Sequence, residues 1–350
     1  MNMRLQSSSQ GGGLKFAAYI REHLRDSGWQ VVDHLDDDDV DVIWNLNVTY
    51  SFAYTFYRAL LYKSSHPDTV IVMRCADSGL QRRGQAMTRL MRSCVKHSDH
   101  VVFNSEWLRG FVDPQGTTPS SIILNGADKR RYASPPAERA RGKKLRIVTH
   151  HWSANPLKGH DVYQALDRKL DEESFRERFE FTYIGNYPAG IEYRNARLIP
   201  VLTGDELVEE LRQHDVYLTA SEHEAGGMHF IEGLCCGLPL LYRESGGTPE
   251  YAAECGVGFR AQTFLESLDR MDVEYETHRK NALAHDYDAA EMAASYERLF
   301  ADLMQRRDEF RPSAWKRSWA YTGWLRSMDK AYPLLRLSYD LPAMLKSRLS

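Results

Sequence analysis

The residues best spaced for chemistry lie in the segment YLTASEHEAGGMHFIEGLCCGLPLLYRESGGTPE, where Glu224 and Glu232 flank a stretch that holds Gly226 and Gly227. The run YLTAS reads as a strand and MHFIEGLCCG as a helix, so Glu224 falls on the loop leaving the strand. Glu232 then lies about 1.5 turns into the helix. Glycines at a helix opening let a ligand approach the backbone closely. Unpaired N–H groups at the helix N-terminus, with their partial positive charge, suit an anion such as a diphosphate. An isolated glutamate is ordinarily a solvated surface charge. Two glutamates at this spacing around glycines are read instead as a ligand site. Lys158, in NPLKGHD, follows the apolar run LRIVTHH and offers a flexible ammonium that could neutralise a departing diphosphate.

Other residues invite chemistry less clearly. Arg74 and Asp77 end or follow the run TVIVMRC, at the strand end where parallel α/β sheets gather ligand contacts. Gly11, Gly12 and Gly13 precede an amphipathic stretch and read either as a ligand-facing loop or as a flexible terminus. The acidic run Asp36 to Asp39 sits before a strand and reads as a solvated turn, not a metal site. The thirteen histidines show no H-x-x-x-H spacing, so no zinc site is expected. The five cysteines are odd in number and lack a C-x-x-C pair, which argues against a disulfide framework and fits a reducing cytoplasm.

These residues need a scaffold, and the sequence supplies two. LKFAAYIREHLRDSG reads as a helix, and DVIWNL, TVIVMRC and HVVFN read as short buried strands. Helices alternating with strands imply parallel pairing in a doubly wound α/β sheet. RRYASPPAERARGKK, rich in proline and charge, reads as the interdomain linker. A second alternation follows: LRIVTHH, HDVYQALDRKL, FEFTYIGN, GDELVEELRQH, DVYLTAS, MHFIEGLCCG and PLLYRES. The expected domains are 1–143, 144–310 and a helical tail at 311–350. At 350 residues, 43% hydrophobic and 27% charged, the chain has the length and composition of a two-domain globular protein. A net charge of -3 provides no global basic field for nucleic acid. The N-terminus MNMRLQSSSQGGG lacks the apolar centre of a signal peptide, and no run approaches the ~20 apolar residues of a membrane span.

The pair Glu224/Glu232, followed by GLP and GGTPE, resembles the retaining GT-B glycosyltransferases of family 4. VVFNSEWLRGF, SIILNGADKRRY and NPLKG are similar to further segments of that family, so the resemblance covers roughly residues 100 to 300. It implies two doubly wound Rossmann-like domains facing across a cleft, with a nucleotide-diphosphate sugar held mainly by the second. Glu224 would then contact the transferred sugar near the reacting carbon, and Glu232 would accept hydrogen bonds from the ribose hydroxyls. Gly226, Gly227, Met228, Ser153, Gly185 and Thr248 would complete the donor side. Gly12, Gly13, Arg74 and Asp77 would form the first-domain, acceptor side. Family members usually carry an arginine five or six residues before the lysine; here Ser153 and Trp152 stand there, so Arg74, His151 or His223 would have to compensate.

The implied reaction is metal-independent glycosyl transfer with retention, without a cofactor, to a glycan, lipid-linked, polysaccharide or other hydroxyl acceptor. The rivals are a nucleotide-sugar epimerase or phosphorylase on the same architecture, or a non-catalytic carbohydrate-binding subunit. The tail SAWKRSWAYTGWLRSMDKAYPLLRLSYDLPAMLKSRLS is aromatic and basic. It reads as a helix packing back on the first domain, or as a peripheral contact with the inner face of a membrane.

Overall fold

The computed structural model describes residues 1–3, 12–46, 53–80, 84–132, 144–252 and 254–349, leaving aside the side chains of 84–86 and 335–349. Gly11 and residues 133–143, the greater part of the expected linker, lie outside the described residues. The chain divides into two compact units, Met1–Ile123 with Ala293–Ser350, and Leu124–Met292. This boundary falls some twenty residues before the expected one at 143/144, and the chain returns to the first unit at Ala293. Residues 124–132 go with the second unit because they are bonded to it. The Asn125 N–H, for example, donates to the Tyr251 hydroxyl at 3.0 Å.

In the first unit, α1 (Gly12–Asp26), α2 (Phe56–Ser65), α3 (Gly84–His97) and α4 (Glu106–Val112) alternate with β1 (Val42–Asn45), β2 (Val70–Cys75), β3 (His100–Phe103) and β4 (Ser120–Ile122). The strands pair in parallel in the order β1-β2-β3-β4. Every residue of β2 and β3 is buried, as expected of strands covered on both faces. α1 buries Phe16, Ala17, Ile20 and Leu24, one stripe of a 3.6-residue period. Thr55 and Ser105 cap α2 and α4 by accepting the Arg58 and Leu108 N–H groups.

The second unit holds α5 (Lys129–Tyr132), β5 (Leu145–His151), α6 (His160–Lys169), α7 (Glu173–Arg176), β6 (Phe179–Gly185), β7 (Arg197–Ile199) and α8 (Gly204–Leu211). It continues with β8 (Val216–Thr219), α9 (Met228–Cys235), β9 (Leu240–Arg243), α10 (Thr248–Ala252), β10 (Gly256–Phe259) and α11 (Phe264–Ala284). Its parallel sheet runs β10-β9-β8-β5-β6-β7. The chain builds outward from β5 in one direction and then from β8 in the other. The order therefore reverses between β5 and β8, which makes the loops after these two strands the expected ligand crevice. One face of the sheet packs Val148, Tyr217 and Leu240 against Phe230, Ile231 and Leu234 of α9. The other packs Ile147, Leu218 and Leu241 against Val162 and Leu166 of α6 and Leu268 and Met271 of α11.

α12 (Ala289–Gln305) carries the chain back to the first unit, where Tyr296 and Phe300 lie 5.2 and 5.4 Å from the Trp44 ring. α13 (Trp319–Leu349) packs on α2: Tyr57 meets Trp324 and Tyr332, and the Thr55 hydroxyl donates to Asp329. Tyr321, Leu325 and Tyr332 are buried while Trp315 and Trp319 are exposed. All five cysteines are buried free thiols. Among the described residues no helix is long and apolar enough to cross a membrane.

Candidate active site

Two loops meet at the switch point of the second sheet. The loop after β5 forms a 3-10 turn, Pro156–Lys158, whose N-cap Asn155 accepts the Leu157 N–H through its side chain at 3.0 Å. Gly159 follows with φ 87°, where L side chains are strained, and a Cβ there would lie 2.1 Å from the Ala220 carbonyl oxygen. Only glycine lets this turn lie against the loop after β8. The Glu222 N–H then donates to the Leu157 carbonyl at 2.8 Å. Lys158 Nζ reaches Glu224 Oε2 at 2.5 Å, with the two side chains 13% and 17% exposed. Sequence positions 66 residues apart thus become an ion pair that still reaches the surface.

The loop carrying Glu224 is held from several sides. His223 is the one described non-glycine residue with positive φ, at 54°, and its N–H donates to Ser245 Oγ at 3.0 Å. Such a backbone costs about 1 kcal/mol or more and persists where surrounding bonds impose it. The Gly247 N–H donates to the Glu224 carbonyl at 2.8 Å, and Asn125 Nδ2 donates to the Gly226 carbonyl at 2.8 Å. Gly227 is the N-cap of α9 and no side chain caps that helix end. The helix begins four residues after Glu224, so its N-terminal partial positive charge lies on the same loop as the partner of the Lys158 ammonium. Met228 begins the helix, half-buried.

Glu232 is 4% exposed and accepts a hydrogen bond from His150 at 2.9 Å. Tyr132 of α5 also bonds it; burial, then the charge of Glu232, pushes that phenol far above its ordinary range. The His150 Nδ1 faces the Tyr217 hydroxyl at 3.1 Å. Two further histidines lie nearby, His151 and His229, with ring centroids 4.9 Å apart. Burial holds His229 down to about 3, with the Lys158 charge as the next cause, and burial holds His151 well below its usual value. Both are therefore neutral at physiological pH. The positive potential at the α9 opening comes from Lys158 and backbone N–H groups.

The remaining sequence candidates divide between the two units. Gly185 closes β6 with φ 114°, Ser153 lies half-buried on the loop after β5, and Thr248 opens α10. The Thr248 hydroxyl is buried and has no partner among the described residues. Gly12 and Gly13 stand in the first turn of α1, not on a loop before it. Asp77 Oδ1 accepts the Gly79 N–H at 2.8 Å in the turn after β2. Arg74 is 6% exposed, with its guanidinium carbon 3.6 Å from the Phe16 ring centroid. Its surroundings are those of a packed arginine. Arg74 and buried, neutral His151 are thus poor substitutes for a phosphate-clamp arginine. The acidic run Asp36 to Asp39 is engaged locally: the Tyr62 hydroxyl donates to the Asp37 carbonyl at 2.6 Å, and His66 approaches Asp38 at 3.5 Å. Among the described residues no group of three or more His, Cys, Asp or Glu side chains is arranged to hold a metal ion.

Sequence reading passed over His150, Tyr132, His229 and Arg243. Arg243 closes β9, and its Nη1 pairs with Glu222 at 2.9 Å and Asp161 at 3.2 Å, tying α6 to the Glu224 loop. The one sequence signal for His150 was its place at the end of the strand LRIVTHH, on the edge where ligands gather.

The sequence model of the glycosyl transferases group 1 matches residues 194–265, a span holding Glu224, Gly226, Gly227, Glu232 and Thr248. No curated protein sequence matches the chain. The fold is GT-B. Sucrose-phosphate synthase from Thermosynechococcus elongatus aligns with TM-score 0.63 at 12% identity, over 85% of this chain and 94% of that one. HepE of Anabaena in complex with UDP-glucose aligns with TM-score 0.57 at 14% identity, over 75% and 79%. The trehalose 6-phosphate synthase of Burkholderia multivorans aligns with TM-score 0.56 at 12% identity, over 87% and 79%. The match thus covers part of the segment, 100–300, on which the motif resemblance rested, and the fold agrees with the two-sheet architecture it implied.

Proposed function

We propose that the protein is a retaining glycosyltransferase that moves a sugar from a nucleotide-diphosphate sugar to a hydroxyl of a glycan or lipid-linked acceptor, without a metal ion. The observation that carries this reading is the Lys158–Glu224 pair, 2.5 Å apart, at the point where the second sheet reverses, with Glu224 on the loop that leads into α9. A diphosphate placed there meets an ammonium and helix N–H groups. A sugar beyond it meets the Glu224 carboxylate. As the bond to the diphosphate breaks, Lys158 and the helix end stabilise the negative charge on the leaving group, and Glu224 stabilises the positive charge on the sugar. In a front-face attack the leaving phosphate takes the acceptor's proton, so no protein base is required on that side.

Glu232, Gly226, Gly227, Met228, Ser153, Gly185 and Thr248 are assigned to the donor. The first unit, through Gly12, Gly13 and Asp77, is assigned to the acceptor, with Arg74 bracing Phe16 behind them. HepE binds UDP-glucose, which puts uridine nucleotides first among the donors to try. The test is a thermal-shift screen of nucleoside diphosphates and their sugars. A ligand at 100 times its dissociation constant adds about 2.7 kcal/mol of stability, which several degrees of shift would register. A protein stabilised by none of them would contradict the proposal.

A further inference from the structure

We infer that His150 and Tyr132 position Glu232 and so make the donor site selective for nucleotides with an intact ribose diol. The inference rests on the reading of Glu232 as the ribose ligand. The carboxylate stands on α9, but the groups that bond it come from β5 and α5, so its orientation is set by elements other than its own helix.

The proton pattern can be assigned. The His150 backbone N–H donates to the Tyr217 hydroxyl at 3.1 Å, and that hydroxyl lies 3.1 Å from His150 Nδ1. Tyr217 is fully buried, and its ring meets the imidazole edge-on at 85°. The phenol accepts from the backbone and has two acceptors for its own proton, Nδ1 at 3.1 Å and the His150 carbonyl at 3.3 Å; with either, the nitrogen that faces the carboxylate is the one that must carry a proton. The ring proton then sits on Nε2 and is donated to Glu232 Oε2. Tyr132 is a second donor, since a phenol beside a carboxylate keeps its proton. Both protein groups therefore face Glu232 as donors. A carboxylate accepts about four hydrogen bonds. A carboxylate held by such donors can still accept from a vicinal diol, which presents two O–H donors side by side.

Burial strengthens the consequence. A site that bonds a ligand hydroxyl through a desolvated charge rejects the analogue lacking that hydroxyl, because the charge loses a partner it cannot replace with bulk water. An unanchored carboxylate could turn to another partner, and the discrimination would fade. The role of His150 and Tyr132 is thus read in a ratio of affinities, not in affinity alone.

The experiment is calorimetry on the full chain with UDP, ADP and GDP, each against its 2′-deoxy counterpart. The wild type is expected to prefer the ribonucleotide it binds by about tenfold or more. Tyr132→Phe, nearly isosteric, and His150→Leu should bring the ratio within about threefold of one while deoxynucleotide affinity changes little. His150→Gln, whose amide can still donate, should restore part of the preference. Equal losses for ribo and deoxy ligands would mean a merely structural role and would overturn the inference, as would an unchanged ratio in Tyr132→Phe. A wild type that binds nucleotides without discriminating would overturn it while leaving the nucleotide site standing. A wild type that binds none would overturn the donor reading as well.

Discussion

Removing the Lys158 ammonium should weaken nucleoside diphosphate binding more than any other single change on the loop after β5, and the size of the loss can be worked from its surroundings. Lys158 and Glu224 are 13% and 17% exposed, so neither bulk-water screening nor a dry interior applies. Two unit charges about 4 Å apart at an effective dielectric near 20 interact by about 4 kcal/mol. The ammonium divides its attraction between Glu224 and the ligand, which leaves roughly 2 to 3 kcal/mol for the diphosphate. Lys158→Ala should therefore raise the Kd of UDP about 30- to 150-fold. Part of this loss comes from leaving the Glu224 carboxylate uncompensated beside an anion. Adding Glu224→Gln to Lys158→Ala should then recover about tenfold in affinity, a coupling that a double-mutant cycle measures directly. Calorimetry on the four proteins decides the matter. A Kd within twofold of wild type in Lys158→Ala, or strictly additive losses in the double variant, would refute the reasoning.

Three further outcomes follow from the structure. Gly159→Ala puts a Cβ 2.1 Å from the Ala220 carbonyl oxygen at φ 87°; denaturant titration should register a loss of about 2 to 5 kcal/mol, and unchanged stability would mean the loops do not meet there. Glycosyl transfer should persist in excess chelator, because Lys158 and the α9 opening neutralise the diphosphate; activity lost in chelator and restored by Mg²⁺ or Mn²⁺ would contradict this. His100 and His160 are buried, and burial lowers each to about 4. The unfolded chain takes up protons near pH 6.5 while the folded chain resists until about 4, so their contribution is present above pH 6.5 and is lost as pH falls through that window. At pH 5 this amounts to on the order of 1 to 2 kcal/mol per histidine. The difference in stability between pH 7.5 and pH 5 should therefore shrink in His100→Gln, and a difference equal to wild type would count against it.

The strands of both sheets were legible because parallel strands bury both faces and so read as apolar runs, as VIVMRC and LRIVTHH do. β4, β7 and β10 were not read: β4 and β7 are three residues long and not fully buried, and two glycines interrupt the apolar run of β10. α11 escaped because exposed Leu265, Val273 and Leu283 blur the buried stripe Phe264, Leu268, Met271 and Tyr275. The break in composition at 130–144 marks proline and charge, whereas the compact units divide where bonds do, and Asn125 bonds forward to Tyr251 and Gly226. Glu224, Glu232 and Lys158 could be singled out because each belongs to a local pattern. His150 and Tyr132 belong to none, since they meet Glu232 only when β5, α5 and α9 pack together.

The most direct test of the account is transfer by the purified protein and by its Glu224→Gln variant, with nucleotide sugars and a mixed panel of glycan acceptors. The account expects the wild type to form a glycoside that keeps the donor's anomeric configuration. It expects Glu224→Gln to bind the same donor within a few-fold and lose about 100-fold or more in kcat. Near-normal kcat in the variant, or a product of inverted configuration, would contradict it.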